Sequence, residues 1–164
     1  KPVRARSRLK GVYLLILSLR TELADLTIGR LGRFRFAPGY YLYVGSARGP
    51  GGIAARLAHH ERSSQARPHW HIDYLRVHAA LTETWGIATN DAELERCWAR
   101  ELAGTPGLNI PAPGFGASDS NAPSHLFYAQ AMPMRQALLE TLLHCAEGLG
   151  AHEFTLDIRD YRAR

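Results

Sequence analysis

At 164 residues the chain has the length of one domain and can bury a core without metal or disulfide staples. Hydrophobic residues make up 46 % and charged residues 21 %, the balance of a soluble globular protein, which sets aside a disordered or fibrous chain. The net charge is +5, and the longest apolar run, GVYLLILSL, stops at nine residues, well short of the ~20 that a membrane-spanning helix needs.

In chain order, residues 11–19 (GVYLLILSL) form a continuous apolar run, the pattern of a central buried strand. A polar turn over residues 20–25 leads to LTIGRLGRFRF, where polar and apolar residues alternate around two glycines, as in an edge strand or bent hairpin. Pro38-Gly39 reads as a turn, and YYLYVGS as a second, aromatic-rich strand. Residues 47–52 (ARGPGG) make a loop before a short helix, IAARLAHHER. Pro68 opens a second helix over HWHIDYLRVHA, and LTETWGIA is a further strand. Asp91 is placed to cap the helix AELERCWARELA, which Gly104 ends. Residues 105–123 are a long loop of Gly, Pro, Ser and Asn. SHLFYAQAM then reads as a strand, and MRQALLETLLHCAEGLG as an amphipathic helix stopped by Gly148 and Gly150. The tail EFTLDIRDYRAR is either a last strand or a frayed end. The expected fold class is α+β: a small antiparallel or mixed sheet flanked by helices, with additional strands and a C-terminal helix. Residues 11–164 form a single domain behind a basic, flexible segment of residues 1–10.

That segment, KPVRARSRLK, has no long apolar segment or small-residue cleavage site after it and does not read as a secretion signal. Cys97 and Cys145 stand far apart, outside any C-x-x-C pair, so neither a disulfide framework nor a cysteine zinc site is expected. A reducing, cytoplasmic setting fits that cysteine usage. Lysine occurs only at Lys1 and Lys10, so the positive charge is carried almost wholly by arginine, whose planar fork matches phosphate oxygens. No carboxylate falls between Asp25 and Glu61, whereas Arg30, Arg33, Arg35, Arg48 and Arg56 all do, a one-signed stretch that attracts polyanions. Arginine-rich codon usage produces the same bias, and composition alone leaves both readings open.

Several residue groups bear on chemistry. On a strand, Tyr41, Tyr43 and Gly45 share one face, and pairing with the first strand brings Tyr13 near Tyr43. Either both are core aromatics, or a nearby cation eases the loss of a phenolic proton and makes one a base. Residues 45–49 (GSARG) pass from strand to helix through glycines, either as a tight connection or as backbone N–H groups aimed at an anion, with Ser46 and Arg48 beside it. Arg56 has His59 and His60 three and four residues on, so one helical face can present a cation and an imidazole. His69, His71 and Asp73 have a metal-like look. On a helix, however, residues two apart point in divergent directions, which favours structural or substrate-lining roles.

Taken in order, G-V-Y at residues 11–13, Y-V-G at residues 43–45, Arg56 in the next helix, HWHIDYL, and GFGASDSNAPSHLFY resemble the GIY-YIG nuclease family, and more closely its Uri-type branch. The resemblance covers residues 11–128 and implies a metal-dependent endonuclease that hydrolyses DNA phosphodiester bonds with low sequence specificity, single-stranded DNA being a candidate substrate. It implies Arg56 as the residue that offsets charge on phosphorus and Tyr13 as the base, supported by Tyr43 and His60. It also implies a glutamate that holds Mg²⁺ or Mn²⁺. Among Glu93, Glu95 and Glu101, the downstream R-E-L-A-G points to Glu95. Arg33, Arg35, Ser46, Arg48, His71 and His125 are the expected nucleic-acid contacts, and Ser118, Asp119 and Ser124 are further candidates for shaping the site. Cysteines common in that branch near the SHLFY block are replaced here by Ser120 and Ala122. Two other readings stand beside it: a nucleic-acid-binding module of the same fold without turnover, and an enzyme acting on a small phosphate or nucleotide.

Overall fold

The computed structural model describes residues 6–62, 67–117, 121–149 and 156–162. The fold is α+β. The described residues form, in chain order, β1 (Gly11–Leu19), β2 (Leu23–Ile28), β3 (Gly32–Phe36), β4 (Gly39–Ala47), α1 (Gly52–Glu61), α2 (His71–Arg76), β5 (Ala80–Ala88), α3 (Glu93–Ala103), β6 (Leu126–Ala129), α4 (Arg135–Gly148) and β7 (Leu156–Asp160). Five strands make the main sheet in the order β6-β4-β1-β5-β7, and every neighbouring pair is antiparallel. β2 and β3 form a separate two-stranded sheet.

β1 takes the centre with its whole length apolar and buried on both faces. It pairs with β4 along its whole length, from Gly11 opposite Ala47 to Leu19 opposite Gly39, and with β5 on its other side. The period of two sends Tyr13, Leu15 and Leu17 to one face and Val12, Leu14 and Ile16 to the other. Helix α1, helix α2 and the β2–β3 hairpin cover the first face through Ile53, Leu57, Ile72, Leu75, Ile28 and Phe36. Helices α3 and α4 cover the second through Leu94, Trp98, Leu102, Leu138 and Leu142. Each such side chain contributes about 1.5–3 kcal/mol by leaving water.

Two sheet glycines set how closely the first face can be covered. A Cβ on Gly11 would overlap the Ile87 carbonyl oxygen of β5 and the Ile53 side chain of α1, and a Cβ on Gly45 would overlap the ring of Tyr13. The glycines of G-V-Y and Y-V-G therefore make room, one for a helix and the other for an aromatic ring.

The structure decides two open readings, the hairpin and the tail, and corrects other expectations. The hairpin alternative for residues 26–36 holds, but β2 already begins at Leu23, inside the expected turn. The tail is a strand: β7 pairs with β5 from Glu83 opposite Asp160 to Ile87 opposite Leu156. Of the segment expected to be flexible, residues 7–9 are pinned to α1, whose first-turn N–H groups lack partners within the helix. The Ile53 N–H donates to the Leu9 carbonyl (3.0 Å) and the Ala54 N–H to the Ser7 carbonyl (2.8 Å). A Cβ on Gly52 would overlap the carbonyl oxygens of Arg8 and Leu9, so the glycines here serve a backbone crossing. These α1 donors are thereby occupied and are not the anion cradle that the glycine run suggested. Finally, Cys97 on α3 and Cys145 on α4 form a disulfide across a sequence separation of 48. Spacing gave no sign of it because the packing of α3 on α4, not a local motif, brings the sulfurs together. The bond removes the cysteine-based argument for a reducing compartment. Among the described residues, no helix is long and apolar enough to cross a membrane.

Candidate active site

Strand β6 pairs with β4 only from Tyr40 to Tyr43, whereas β4 continues to Ala47. Beyond that point an open cleft of about 390 Å³ lies against the end of β4. Tyr43, Gly45, Ser46 and Arg48 come to it from β4 and the following loop, Arg56 from α1 and Glu95 from α3. Trp70, Gly116 and His125 form part of the wall, with Val44, Ala92 and Arg96 beside them. Residues from both sides of the sheet therefore meet at one sheet end: α1 comes from one face, and the first turn of α3 from the other.

Beneath the cleft is a buried polar layer. Tyr13 and His60 are each 1 % exposed, and the Tyr13 hydroxyl lies 2.8 Å from His60 Nε2. The Tyr13 and Tyr43 ring centroids are 6.4 Å apart, as the shared-face reading of the two strands requires. Burial pushes the Tyr13 hydroxyl well above the usual phenol range. Tyr43 pushes it further, whereas Arg56 opposes the rise. Tyr43 is also held above its ordinary value, by burial first and by the Glu95 carboxylate second. Burial drives His60 down to about 3, with His59 adding to the effect, so its imidazole is neutral at physiological pH. His60 Nδ1 is buried without a hydrogen-bond partner among the described residues. Clustered shifts of this kind mark functional sites more often than ordinary cores.

Arg56 stacks on Trp70, its guanidinium carbon 4.0 Å from the ring centroid. Trp70 stands just before α2, and Asp73 fixes that turn: its Oδ2 accepts from the backbone N–H groups of His69 (2.8 Å) and Trp70 (3.0 Å). The other oxygen, Oδ1, meets His59 Nε2 at 2.8 Å. His71 Nδ1 accepts the Gly116 N–H (2.9 Å) and so holds the loop that closes over Tyr43. His125 is 2 % exposed, its Nδ1 3.1 Å from the Val44 carbonyl oxygen.

The structure thus brings Tyr43, Ser46, Arg48, Arg56, Glu95 and His125 to one cleft and sets Tyr13 and His60 directly under it. Of the three glutamates weighed on α3, Glu95 lines the cleft, Glu93 pairs with Arg96 (2.7 Å), and Glu101 is exposed. Arg33 and Arg35 are not brought there: they pair with Asp25 and Glu22 on the exposed β2–β3 hairpin. His71 and Asp73 hold local structure. Ser124 is buried and bonds the Leu126 carbonyl (3.0 Å), so it shapes the chain rather than the cleft. Ser118, Asp119 and Ser120 lie outside the described residues. The sequence reading missed Trp70 as the platform for Arg56, and it missed the His59–Asp73 pair. The only visible signal was the crowding of His, Trp and Asp over residues 59–73.

The described residues contain one cluster with metal-ligand spacing, His59, His60 and Asp73, whose donor atoms lie within 4.8 Å of one another. His59 Nε2 and Asp73 Oδ1 face each other and His60 Nε2 faces Tyr13, while His60 Nδ1 has no hydrogen-bond partner among the described residues. Glu95 instead presents a carboxylate to the open cleft.

The chain belongs to the family described as "Domain of unknown function DUF123", whose sequence profile matches residues 12–147. No curated protein and no solved structure matches it.

Proposed function

We propose that this protein is a divalent-metal-dependent endonuclease of the GIY-YIG type, Uri-type branch, acting on DNA phosphodiester bonds. The observation that carries the reading is the meeting of Tyr43, Arg56 and Glu95 at one cleft, from three separate elements, above the Tyr13–His60 pair.

The donor set suits a hard cation. One carboxylate, with water and phosphate oxygens completing the shell, is the usual way Mg²⁺ or Mn²⁺ is held at a phosphate site, and Glu95 is the residue that would hold it. Such an ion supplies Lewis-acid neutralisation of charge on the phosphate and the departing 3′-oxygen.

The protein's own groups do the rest. Arg56, held against Trp70, faces the scissile phosphate and offsets the charge that grows as the new P–O bond forms. Tyr13 is only 1 % exposed and lies beside Arg56, so its hydroxyl stands next to the phosphate that Arg56 would bind. A raised tyrosine does not rest as phenolate. Tyr13 instead passes its proton to neutral His60 Nε2 as it takes one from the attacking water. The incoming phosphate anion makes His60 a better acceptor than it is in the free protein. Tyr43 orients the Tyr13 ring, and Ser46, Arg48 and His125 line the path of the strand.

The test is Glu95→Gln. Metal-dependent cleavage of a labelled oligonucleotide should be lost while binding in chelator stays within a few-fold of wild type. Unchanged cleavage would remove Glu95 from the site, and a wild-type protein that binds DNA but never cuts it would leave a binding module.

A further inference from the structure

A second open groove, of about 310 Å³, lies on the other side of the Arg56–Trp70 stack. Arg56 and Trp70 line both spaces, so the stack is a shared ridge and not the end of the site. We infer that this groove, walled by Gly49, Pro50, His59 and Arg62, binds the phosphodiester next to the one being attacked, so that the strand crosses the ridge. The inference deepens the nuclease reading and rests on it.

Three observations support it. Among the described residues, the lining holds Arg56, Arg62 and His59 and no carboxylate, a one-signed surface suited to an anion. His59 is fixed by Asp73, itself only 2 % exposed and anchored by two backbone N–H groups. Rigid placement of a half-buried imidazole by a buried carboxylate limits the entropy lost on binding. Arg62 NH2 also approaches His59 Nδ1 at 3.4 Å, which gathers the two side chains on one wall. The ligand class is backbone rather than base, because Arg56 already covers a face of the Trp70 ring that a base would stack on. Arg62, outside the cleft-lining set, is the discriminating residue.

The experiment measures binding of a fluorescein-labelled single-stranded ten-nucleotide DNA in EDTA across a salt series, for wild type, Arg62→Ala and Arg62→Lys. One lost phosphate contact on a single strand should weaken binding at low salt several-fold and reduce the slope of log affinity against log salt by about 0.7. Arg62→Lys, which keeps the charge, should restore most of the slope. An Arg62→Ala protein with wild-type melting temperature and wild-type slope overturns the groove assignment. If Arg62→Ala melts lower, Arg62→Gln is measured instead, with the same two outcomes. Cleavage of the same oligonucleotide with Mg²⁺ is scored separately: its absence in wild type refutes the nuclease reading and leaves the slopes to decide the groove. No salt-dependent binding by wild type refutes both.

Discussion

On the sheet face that α3 and α4 cover, β1 contributes Val12, Leu14 and Ile16, which pack with Trp85, Trp98 and Leu142. On the opposite face it contributes Tyr13, Leu15 and Leu17, under α1, α2 and the hairpin. Both faces are fully buried, and both follow from one alternating strand. They differ in what they bury. The α3–α4 face is apolar apart from Glu83, which is 0 % exposed and ion-paired to Arg135 (2.7 Å) at the start of α4. The α1–α2 face buries Tyr13, His60 and Asp73, with their polar atoms gathered toward one sheet end. A face that only had to hold the fold would not need them. On the proposed nuclease reading, the comparison separates residues that stabilise from residues that act, and it can be broken by experiment.

The largest effect on stability should come from the apolar face. Trp98 is 0 % exposed, and its indole N–H donates to the Leu142 carbonyl (3.1 Å). Trp98→Ala should lower unfolding free energy by about 3–5 kcal/mol in a denaturant titration. A loss below about 1 kcal/mol would mean that this face is not the stabilising one.

The site face should reveal itself through pH. His60 titrates near 3 in the folded state, below the ordinary histidine value, because burial disfavours its charge. Unfolding therefore takes up a proton. The stability His60 allows is full above about pH 6.5 and falls as pH drops from there toward 3. His60→Gln should flatten this part of the pH–stability curve. If the two proteins lose stability in parallel through that window, His60 is not buried in its neutral form.

The smallest effect belongs to the hairpin. Arg33 and Arg35 form exposed pairs with Asp25 and Glu22, and such pairs contribute about 0–1 kcal/mol. Replacing both with alanine should leave melting temperature and the salt dependence of DNA binding almost unchanged. A clearly flatter salt slope would place the hairpin on the nucleic acid after all.

Much of this division was legible in the residues. The period of β1, the aromatic run of β4 and the helix pattern around Trp98 gave the central strand, its partner and α3. The alternation of Tyr41, Tyr43 and Gly45 placed Tyr43 beside Tyr13 before any coordinate did. What stayed hidden depends on distant contacts. Cys97 meets Cys145 only because α3 packs on α4, and Arg56 meets Trp70 only because α2 folds back on α1. The strand-to-helix passage at residues 45–49 reads locally as a candidate anion cradle, but residues 7–9 arrive from another part of the chain and take the helix donors. Asp73 looked like one of several equal candidates until its two backbone contacts set it apart.

The central claim is that the cleft end of the α1–α2 face does chemistry, and Arg56 tests it most directly. An interaction that strengthens only as charge develops on phosphorus lowers the barrier without tightening substrate binding. The measurement is the single-turnover cleavage rate and the melting temperature on one Arg56→Ala sample, with Arg56→Lys beside it. The account predicts a folded protein that cuts about 100-fold to 1,000-fold more slowly, with little recovery by lysine, which lacks the planar fork. Cleavage at the wild-type rate, or a rate loss that only follows a fall in melting temperature, would contradict it.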